Sequence, residues 1–402
     1  MRVRGRKVEE DNLEARGFSL YLHVPFCISK CLYCDFYSVP LASLPEPDKA
    51  IESYPKLLIK EFSKLQKSYD LEPYGEIKSI FFGGGTPTLL SPDGIEHILK
   101  ELKTMVGVKD DIEVTIEANP DTVSEDKLKG FIEAGVNRLS MGVQSLNEES
   151  LKTLGRCQTK ERAVAAFHEA RAAGFTNISI DLIYGTPGES IEEFRETLEK
   201  AAKLKAEHLS LYALTLEEGT LLKKKVELNE VTMPPEEDDL EKLRVASTLL
   251  PKSDLTRYEI SNFSTPCHQC IHNLNYWGRG SYIGLGPSSH SFLSKVGSWG
   301  RRWWNKKDLA EYTKAIENIE ENNLQIEGFE DITKESAALE RLMLGLRLTE
   351  GISIAGFKKE FDVEPSTVLS NFSKLMELGY LEVSGDTLRL TRGGMEFHDE
   401  VF

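Results

Sequence analysis

Short apolar runs alternate with amphipathic stretches over the first half of the chain. Six of these runs are rich in β-branched and aromatic residues and are bounded by turn residues, as buried strands are. They begin at Phe18, Ile77, Asp111, Arg138, Ile178 and His208. The stretches between them have the helical period, and this alternation predicts an α/β fold with a parallel sheet and outer helices. Right-handed crossovers curl such a sheet toward a barrel, and six units instead of eight leave the TIM-like barrel partial.

Local signals mark the ends of several predicted helices. Ser190 followed by Glu193 has the spacing of a capping box, in which each residue satisfies a free backbone N–H of the helix start. Gly135 and Gly174 follow amphipathic runs, where a helix end needs a left-handed residue. These signals place helices between the predicted strands.

The second half of the chain has a different pattern. The segment from Glu217 to Pro251 is charged and is predicted to be mostly loop, and strand-like sequences follow at Tyr258 (YEISNF) and Tyr282 (YIGLG). From Thr333 the pattern predicts three helices and a hairpin around Gly385, as in a winged-helix domain. The predicted divisions are an N-terminal extension (1–17), a partial barrel (18–250), an α+β extension (251–332) and a winged-helix-like domain (333–402).

Composition and charge limit the classes of function. The 402 residues are 40% apolar and 28% charged, which is typical of a globular protein. No apolar run is long enough to span a membrane, and the N-terminus lacks the apolar core of a secretory signal, so a cytoplasmic location is expected. A formal charge of −16 disfavours nucleic acid as a partner.

The charge of the last domain argues against DNA binding in particular. Residues 335–402 hold twelve acidic and seven basic residues. The predicted recognition helix, from Ser366 to Leu378, offers only Lys374 to a phosphate backbone. The sequence therefore favours a packing or protein-contact role for this domain.

Three of the six cysteines lie close together in the loop that leaves the first strand. Cys27, Cys31 and Cys34 have the spacing C-x-x-x-C-x-x-C. A structural zinc site needs four ligands and usually pairs its thiolates as C-x-x-C. An iron–sulfur cubane held by three thiolates keeps one iron with an open coordination position, which a chelating amino acid can occupy. The spacing predicts a [4Fe–4S] cluster.

Polar residues occur near the carboxyl end of almost every predicted strand, where the active site of a barrel is assembled. A glycine-rich turn at Gly84, Gly85 and Thr86 would let a ligand approach the backbone closely. Glu117 and Asp181 suit hydroxyl or cationic groups of a ligand. Other polar or small residues at or near these ends are Gln144, Arg156, whose guanidinium suits a carboxylate, and Ala213.

These motifs together carry a family resemblance. HVPFC, the three cysteines, FFGGGTPT, IEANPD, GVNRLSMGVQS, DLIYGTPGES and HNLNYW occur in an order that resembles radical SAM proteins related to oxygen-independent coproporphyrinogen dehydrogenase, and most closely the HemW-type haem chaperones. The resemblance implies cluster ligation by Cys27, Cys31 and Cys34. It also implies S-adenosylmethionine contacts from Tyr21, Tyr33, Gly84, Gly85, Thr86, Glu117, Gln144, Arg156, Asp181 and Ala213.

Two local features separate the branches of this group. The resemblance implies that the dehydrogenase has the pattern C-x-x-x-C-x-x-C-x-C, with a further cysteine two residues after the third. Here Asp35 and Phe36 follow Cys34, and the absence of that cysteine disfavours porphyrinogen decarboxylation. The sequence HNLNYW from His272 resembles the chaperone motif linked to haem binding, so His272 is a candidate axial ligand. Alternatives are a hydrogen-bonded structural role for His272, a zinc site with Cys267, His268 and Cys270, and His290 as a second candidate ligand.

The sequence thus favours a haem chaperone with a [4Fe–4S] cluster, S-adenosylmethionine and haem as its bound groups. Its expected partner is a haem-accepting protein, for example a membrane respiratory protein, and a homodimer is left open. The alternative function is the oxygen-independent dehydrogenase or another radical SAM oxidoreductase.

Overall fold

A computed structural model of the protein describes residues 17–317 and 326–398. Most of the predicted N-terminal extension and the last four residues of the predicted C-terminal domain lie outside these described ranges. The same holds for residues 318–325, which belong to the predicted α+β extension.

The first half of the chain alternates strands and helices as the apolar pattern predicts. The strands are β1 (Phe18–Val24), β2 (Phe26–Cys27), β3 (Val39–Pro40), β4 (Ile77–Gly84), β5 (Val108–Ala118), β6 (Arg138–Gln144), β7 (Ile178–Tyr184) and β8 (His208–Ala213). The helices are α1 (Pro47–Ser68), α2 (Pro92–Met105), α3 (Glu125–Ala134), α4 (Glu148–Thr153), α5 (Lys160–Ala173) and α6 (Ile191–Lys203). The capping box at Ser190 is confirmed, and Gly135 and Gly174 end α3 and α5 in the left-handed conformation.

The second half adds short strands and helices. The strands are β9 (Thr256–Arg257), β10 (Asn262–Ser264), β11 (Tyr282–Leu285), β12 (His290–Leu293), β13 (Arg301–Asn305), β14 (Ile326–Asp331), β15 (Ile352–Ser353), β16 (Leu381–Ser384) and β17 (Thr387–Leu390). The helices are α7 (Leu221–Glu227), α8 (Glu236–Leu249), α9 (Ile271–Trp277), α10 (Leu309–Glu317), α11 (Lys334–Gly345), α12 (Ile354–Phe361), α13 (Pro365–Val368), α14 (Phe372–Glu377) and α15 (Arg392–Glu396).

Six parallel strands form the centre of the large sheet. They lie in the order β1, β4, β5, β6, β7 and β8, each hydrogen-bonded to the next in parallel. Helices cover the outer face, so the strands are buried on both sides, with an apolar core between sheet and helices and polar residues such as Ser19, Ser79 and Ser179 buried on the strands. This confirms the predicted α/β class and its parallel sheet, and it brings the carboxyl ends of six strands to one edge.

Strands from the second half of the chain extend this sheet at both sides. β11 pairs with β1 in parallel, with Ser19 opposite Tyr282, and the sheet continues antiparallel through β12, β13 and β14. At the other side β10 pairs antiparallel with β8. The resulting sheet has twelve strands among the described residues.

The expectation of a loop-rich segment between Glu217 and Pro251 is wrong, because two helices occupy much of it. Thr220 caps α7 by accepting from the backbone N–H of Lys223. The run of acidic residues after Pro235 forms the first turn of α8, where negative charge interacts favourably with the helix dipole. The charge run is therefore a helix start.

Two other expected elements are broken in the structure. Only the end of YEISNF is strand, in β10, whereas residues 258–261 form a turn in which the carboxylate of Glu259 accepts from the backbone N–H of Ser261. The predicted recognition helix from Ser366 to Leu378 is divided into α13 and α14, because Leu369 takes an extended conformation and buries its side chain in the domain core. Core packing thus overrides the helical pattern at this point.

The C-terminal domain packs against the strands that extend the barrel. Its small sheet has the strand order β15, β17, β16, and its core includes Phe292 from β12. Glu340 of α11 forms ion pairs with Arg279 and with Arg302 of β13. No helix within the described ranges is long and apolar enough to cross a membrane.

Candidate functional site

The three clustered cysteines lie on or beside one loop at the end of β1. Cys27 ends β2, and the loop that carries Cys31 and Cys34 returns to β3, which pairs with β2. All three thiols are half-buried, whereas Cys157 and Cys267 are exposed and Cys270 is buried elsewhere. The fold therefore gathers the predicted ligands at the carboxyl edge of the sheet.

Polar and cationic side chains contact the thiols. The Thr86 hydroxyl lies 3.5 Å from the sulfur of Cys27, and Arg156 donates to the sulfur of Cys31 over 3.5 Å. Burial raises the pKa of Cys27 and raises that of Cys34 to about 11. Iron binding at these thiols would therefore release protons, and the nearby guanidinium suits the negative charge that results.

The three cysteines supply the donor set that a polynuclear cluster uses. Among the described residues, no three Cys, His, Asp or Glu side chains surround one point closely enough to hold a single metal ion. A cubane needs no such convergence, because each of its thiolates binds a different iron. The residues present therefore fit a [4Fe–4S] cluster.

The glycine-rich turn lies directly against the strand that precedes the cysteines. Gly84 ends β4 with φ +109°, and a Cβ there would lie 2.6 Å from the ring of His23. Gly85 donates its N–H to the carbonyl of Val24, and a Cβ at Gly85 would lie 2.6 Å from the carbonyl oxygen of Phe26. Only glycine allows this close approach between the turn and the end of β1.

Two acidic side chains stand next to this turn. Glu117, near the end of β5, accepts from the N–H of Gly84 over 3.1 Å, and burial together with Asp181 raises its pKa to about 8. Asp181 lies deeper, three residues before the end of β7, and accepts from the hydroxyls of Ser140 and Ser179. A cationic ligand bound here would favour the ionised forms of both carboxyl groups.

Arg156 connects the cysteine loop with the end of β6. Its guanidinium donates to the carbonyl of Gly142 over 2.9 Å and to the side chain of Gln158. Gln144, at the end of the same strand, adopts φ +66°, and its amide nitrogen would be 2.8 Å from a Cβ at Gly142. Gln158 is a buried positioning residue that sequence reasoning missed, and only its place two residues after Arg156 hints at it.

The remaining predicted contacts share the same edge of the sheet. Tyr21 on β1 lies under Gly83, Tyr33 on the cysteine loop interacts with Arg156, and Ala213 ends β8 beside Tyr184. The structure thus places the ten predicted cofactor residues at or near the carboxyl edge of the sheet, the edge that also carries the three cysteines. His272 is buried next to this group, with its ring centroid 6.5 Å from that of Tyr21.

His272 is buried inside the barrel, where both of its ring nitrogens are hydrogen-bonded. Ser79 donates its hydroxyl proton to Ser19, so Nδ1 of His272 donates to Ser79 over 3.0 Å. Nε2 then accepts from the Tyr276 hydroxyl over 2.9 Å. Burial lowers the pKa of His272 to about 3. The structure therefore favours the alternative of a structural, hydrogen-bonded histidine.

The alternative zinc site is wrong for the described residues. Cys267 is exposed, whereas Cys270 is buried with its sulfur 3.6 Å from the carboxylate of Glu113. Both nitrogens of His272 are occupied, and the cysteines and histidines of this segment do not converge on one point.

A cavity of about 690 Å³ opens beside the cysteine loop, between the barrel, strands β11–β13 and helix α11. One wall is a face of the antiparallel strands, where Phe292 lies opposite both Tyr282 and Arg302. Tyr276 of α9 and Phe36 of the cysteine loop also line it. Its volume and the seven Phe, Tyr and Trp residues of its lining are those of a small-molecule site. Sequence reasoning missed this cavity, because its walls come from four distant segments.

Comparisons with known proteins agree with this fold and site. A family model described as the radical SAM superfamily matches residues 21–201, and one described as the HemN C-terminal domain matches residues 332–397. The solved structure of coproporphyrinogen III oxidase (HemN) from Escherichia coli, titled a radical SAM enzyme, superposes with a TM-score of 0.78. That match covers 97% of this chain and 91% of the other at 22% identity. Fold and site thus define the class as radical SAM.

More similar relatives narrow the family within that class. Heme chaperone HemW of Bacillus subtilis is 32% identical over 386 residues, covering 96% of this chain and 98% of that protein. Heme chaperone HemW of Haemophilus influenzae is 32% identical over 389 residues, with 95% and 96% covered. The chain therefore belongs to the HemW family, which confirms the resemblance inferred from its motifs.

Proposed function

We propose that this protein is a haem chaperone that binds haem and passes it to a haem-dependent protein in the cytoplasm or at a membrane. The observation that carries the proposal is the aromatic-lined cavity beside the cysteine loop. Its volume suits a mainly apolar macrocycle, and aromatic side chains stack well on such rings. The names of the relatives agree with this substrate.

Two bound groups accompany this function in the proposal. Cys27, Cys31 and Cys34 hold a [4Fe–4S] cluster whose remaining iron has an open position. S-adenosylmethionine, which supplies reductively cleavable sulfonium chemistry when bound, would contact the glycine turn, Glu117, Gln144, Arg156 and Asp181. These residues form a cradle with backbone groups, two acids and a guanidinium, which suits a ligand carrying both cationic groups and a carboxylate.

The alternative function, oxygen-independent coproporphyrinogen dehydrogenase, is disfavoured by the residues after Cys34. Phe36 occupies the position, two residues after Cys34, where the resemblance places a further cysteine, and it is 65% exposed. A phenyl ring cannot replace a thiol in binding or redox chemistry. The residues expected to bind S-adenosylmethionine are nevertheless all present. The dehydrogenase activity is therefore measured in the experiment below.

Anaerobically reconstituted full-length protein should bind haem stoichiometrically and should not convert coproporphyrinogen. We expect a shifted Soret band that saturates at one equivalent of ferric haem. The same preparation, supplied with dithionite, S-adenosylmethionine and coproporphyrinogen III, should release no protoporphyrinogen. Absence of saturable haem binding would contradict the chaperone function, and formation of protoporphyrinogen would establish the dehydrogenase instead.

Glu117→Gln should stabilise the protein at alkaline pH and weaken its binding of S-adenosylmethionine. The wild-type carboxyl holds a proton up to about pH 8 when folded but releases it near pH 4.5 when unfolded, so its contribution to the free energy of unfolding falls across that interval. The variant has no carboxyl to lose this contribution. Its free energy of unfolding should therefore exceed that of the wild type by an amount that grows with pH, to a few kcal/mol at most. A cationic ligand favours the ionised carboxylate, which glutamine cannot provide.

Urea denaturation of the ligand-free protein from pH 5 to 9 and equilibrium dialysis with S-adenosylmethionine measure both effects. Glu133→Gln, on the exposed side of α3, is the matched control and should change neither. A stability difference that is independent of pH would contradict the role assigned to Glu117.

A further inference from the structure

We propose that His290 is the axial ligand of haem iron in the cavity, and that His272 positions Tyr276 in the cavity wall. This inference rests on the proposed function, because it names the iron ligand for the proposed substrate. The sequence alone favours His272 over His290 as the iron ligand, because His272 begins the HNLNYW motif. The structure favours His290.

The three histidines within or behind the cavity differ in the availability of their nitrogens. His23 donates Nε2–H to the carbonyl of Tyr37 and accepts at Nδ1 from Tyr21. His272 uses both nitrogens inside the barrel. His290 lines the cavity, is exposed, and has no hydrogen bond from either nitrogen within the described ranges. Iron can therefore bind His290 without breaking a protein hydrogen bond.

The surroundings of His290 suit a ligand to iron. It pairs with Trp304 across β12 and β13, and the indole stacks on the imidazole at a centroid distance of 5.9 Å. Phe292, two residues further along β12, points to the same face of the sheet. Partial burial and the positive charge of Arg302 lower the pKa of His290, so its imidazole is neutral at physiological pH. A neutral, oriented imidazole beside an aromatic surface is what an iron porphyrin requires.

The charges around the cavity suit the two carboxylates of haem. Arg279 and Arg302 share Glu340, and Asp35 is the other acid in the lining. Lys307 also lines the cavity, and it forms no ion pair with any residue that the structure describes. The lining therefore carries one positive charge more than its acids neutralise. We assign Lys307 and Arg302 to the propionates.

The HNLNYW helix connects the barrel interior with the cavity. Glu113 of β5 accepts from the backbone N–H groups of Ile271 and His272 at the start of α9. One turn later, the hydroxyl of Tyr276 donates to His272, and its ring packs edge-on against Tyr282 at 4.7 Å. His272 thus fixes the orientation of a wall residue. Loss of haem binding on its removal would follow from a displaced wall, without any bond to iron.

Ferric haem titrations of the full-length, cluster-containing protein test the assignment, with Soret absorption and the g-values of protein-bound ferric haem as measurements. His290→Ala should shift the Soret band and weaken haem binding at least about tenfold. His290→Gly should recover the wild-type spectrum when free imidazole is added and unbound haem is removed by gel filtration. His272→Gln keeps a side chain that can both donate and accept, and it should retain the histidine-ligated spectrum.

Matched variants separate failure of this assignment from failure of the proposed function. His97→Ala, which removes an exposed histidine of α2, should leave the titration unchanged. Lys307→Ala should weaken binding and reduce its salt dependence without shifting the Soret band. If the wild type binds no haem, the proposed function itself fails. The assignment to His290 is overturned if the wild type binds haem and His290→Ala binds it with the same spectrum and affinity as the wild type. It is also overturned if His272→Gln loses histidine ligation while the His290 variants keep it.

Discussion

Replacement of Cys31 by alanine should abolish the proposed iron–sulfur cluster. Two thiols remain on the loop, and Arg156, which contacts the Cys31 sulfur, would keep a positive charge beside the vacated position. A cubane that loses one of three protein ligands has a second labile iron and degrades. We expect the bound iron and sulfide and the visible absorption of anaerobically reconstituted protein to fall to background.

Cys157→Ala is the matched control for this experiment. Cys157 follows Arg156, is exposed, and lies 3.8 Å from the hydroxyl of Ser29 on the same loop, so it is the nearest thiol outside the predicted set. Its removal should leave iron content unchanged. Full iron content in Cys31→Ala together with loss in Cys157→Ala would show that the ligand set is wrong.

Replacement of Gly85 by alanine should disrupt the site with a single methyl group. The new Cβ would lie 2.6 Å from the carbonyl oxygen of Phe26 and 2.9 Å from that of Val24, and both neighbours are backbone atoms that cannot rotate away. The end of β1 and the start of the cysteine loop must therefore separate from the glycine turn, at a cost of roughly 3 kcal/mol or more. We expect S-adenosylmethionine affinity to fall at least about tenfold.

Thermal melting and equilibrium dialysis measure the two effects. Gly393→Ala provides the comparison, because a Cβ there meets its nearest neighbours at 3.8 and 4.0 Å, and it lies in helix α15. That variant should be as stable as the wild type or slightly more stable. Wild-type melting and affinity in Gly85→Ala would contradict the close approach between the turn and β1.

The parallel sheet could be predicted from sequence because its strands are buried on both faces. A strand such as β1, FSLYLHV, is then buried along nearly its whole length and stands out as a short run of large apolar and aromatic residues without tertiary information. The grouping of the residues at the strand ends could be predicted for the same reason, because parallel strands place their carboxyl ends at one edge of the sheet. The position of Glu117 beside Gly84 is therefore nearly implied by the strand order.

Features that depend on packing between distant segments could not be predicted in this way. The acidic start of α8 has the composition of a loop, and its helical role is apparent only when Leu243 and Ala246 are seen to be buried. The state of His272 depends on Ser79, almost two hundred residues earlier in the chain. Its hydrogen bonds use both nitrogens that haem ligation would need, and no local motif reports this.

The placement of β10 and β11 at opposite sides of the six parallel strands has a consequence for biosynthesis. During translation, β1 and β8 emerge with one edge each exposed, and both wait for strands encoded beyond residue 255. Such widely separated pairing slows folding and leaves unpaired edges open to other chains. The nascent barrel should therefore depend on holding chaperones until the ribosome has released β11, and a truncation before Thr256 should yield aggregates instead of an isolated barrel.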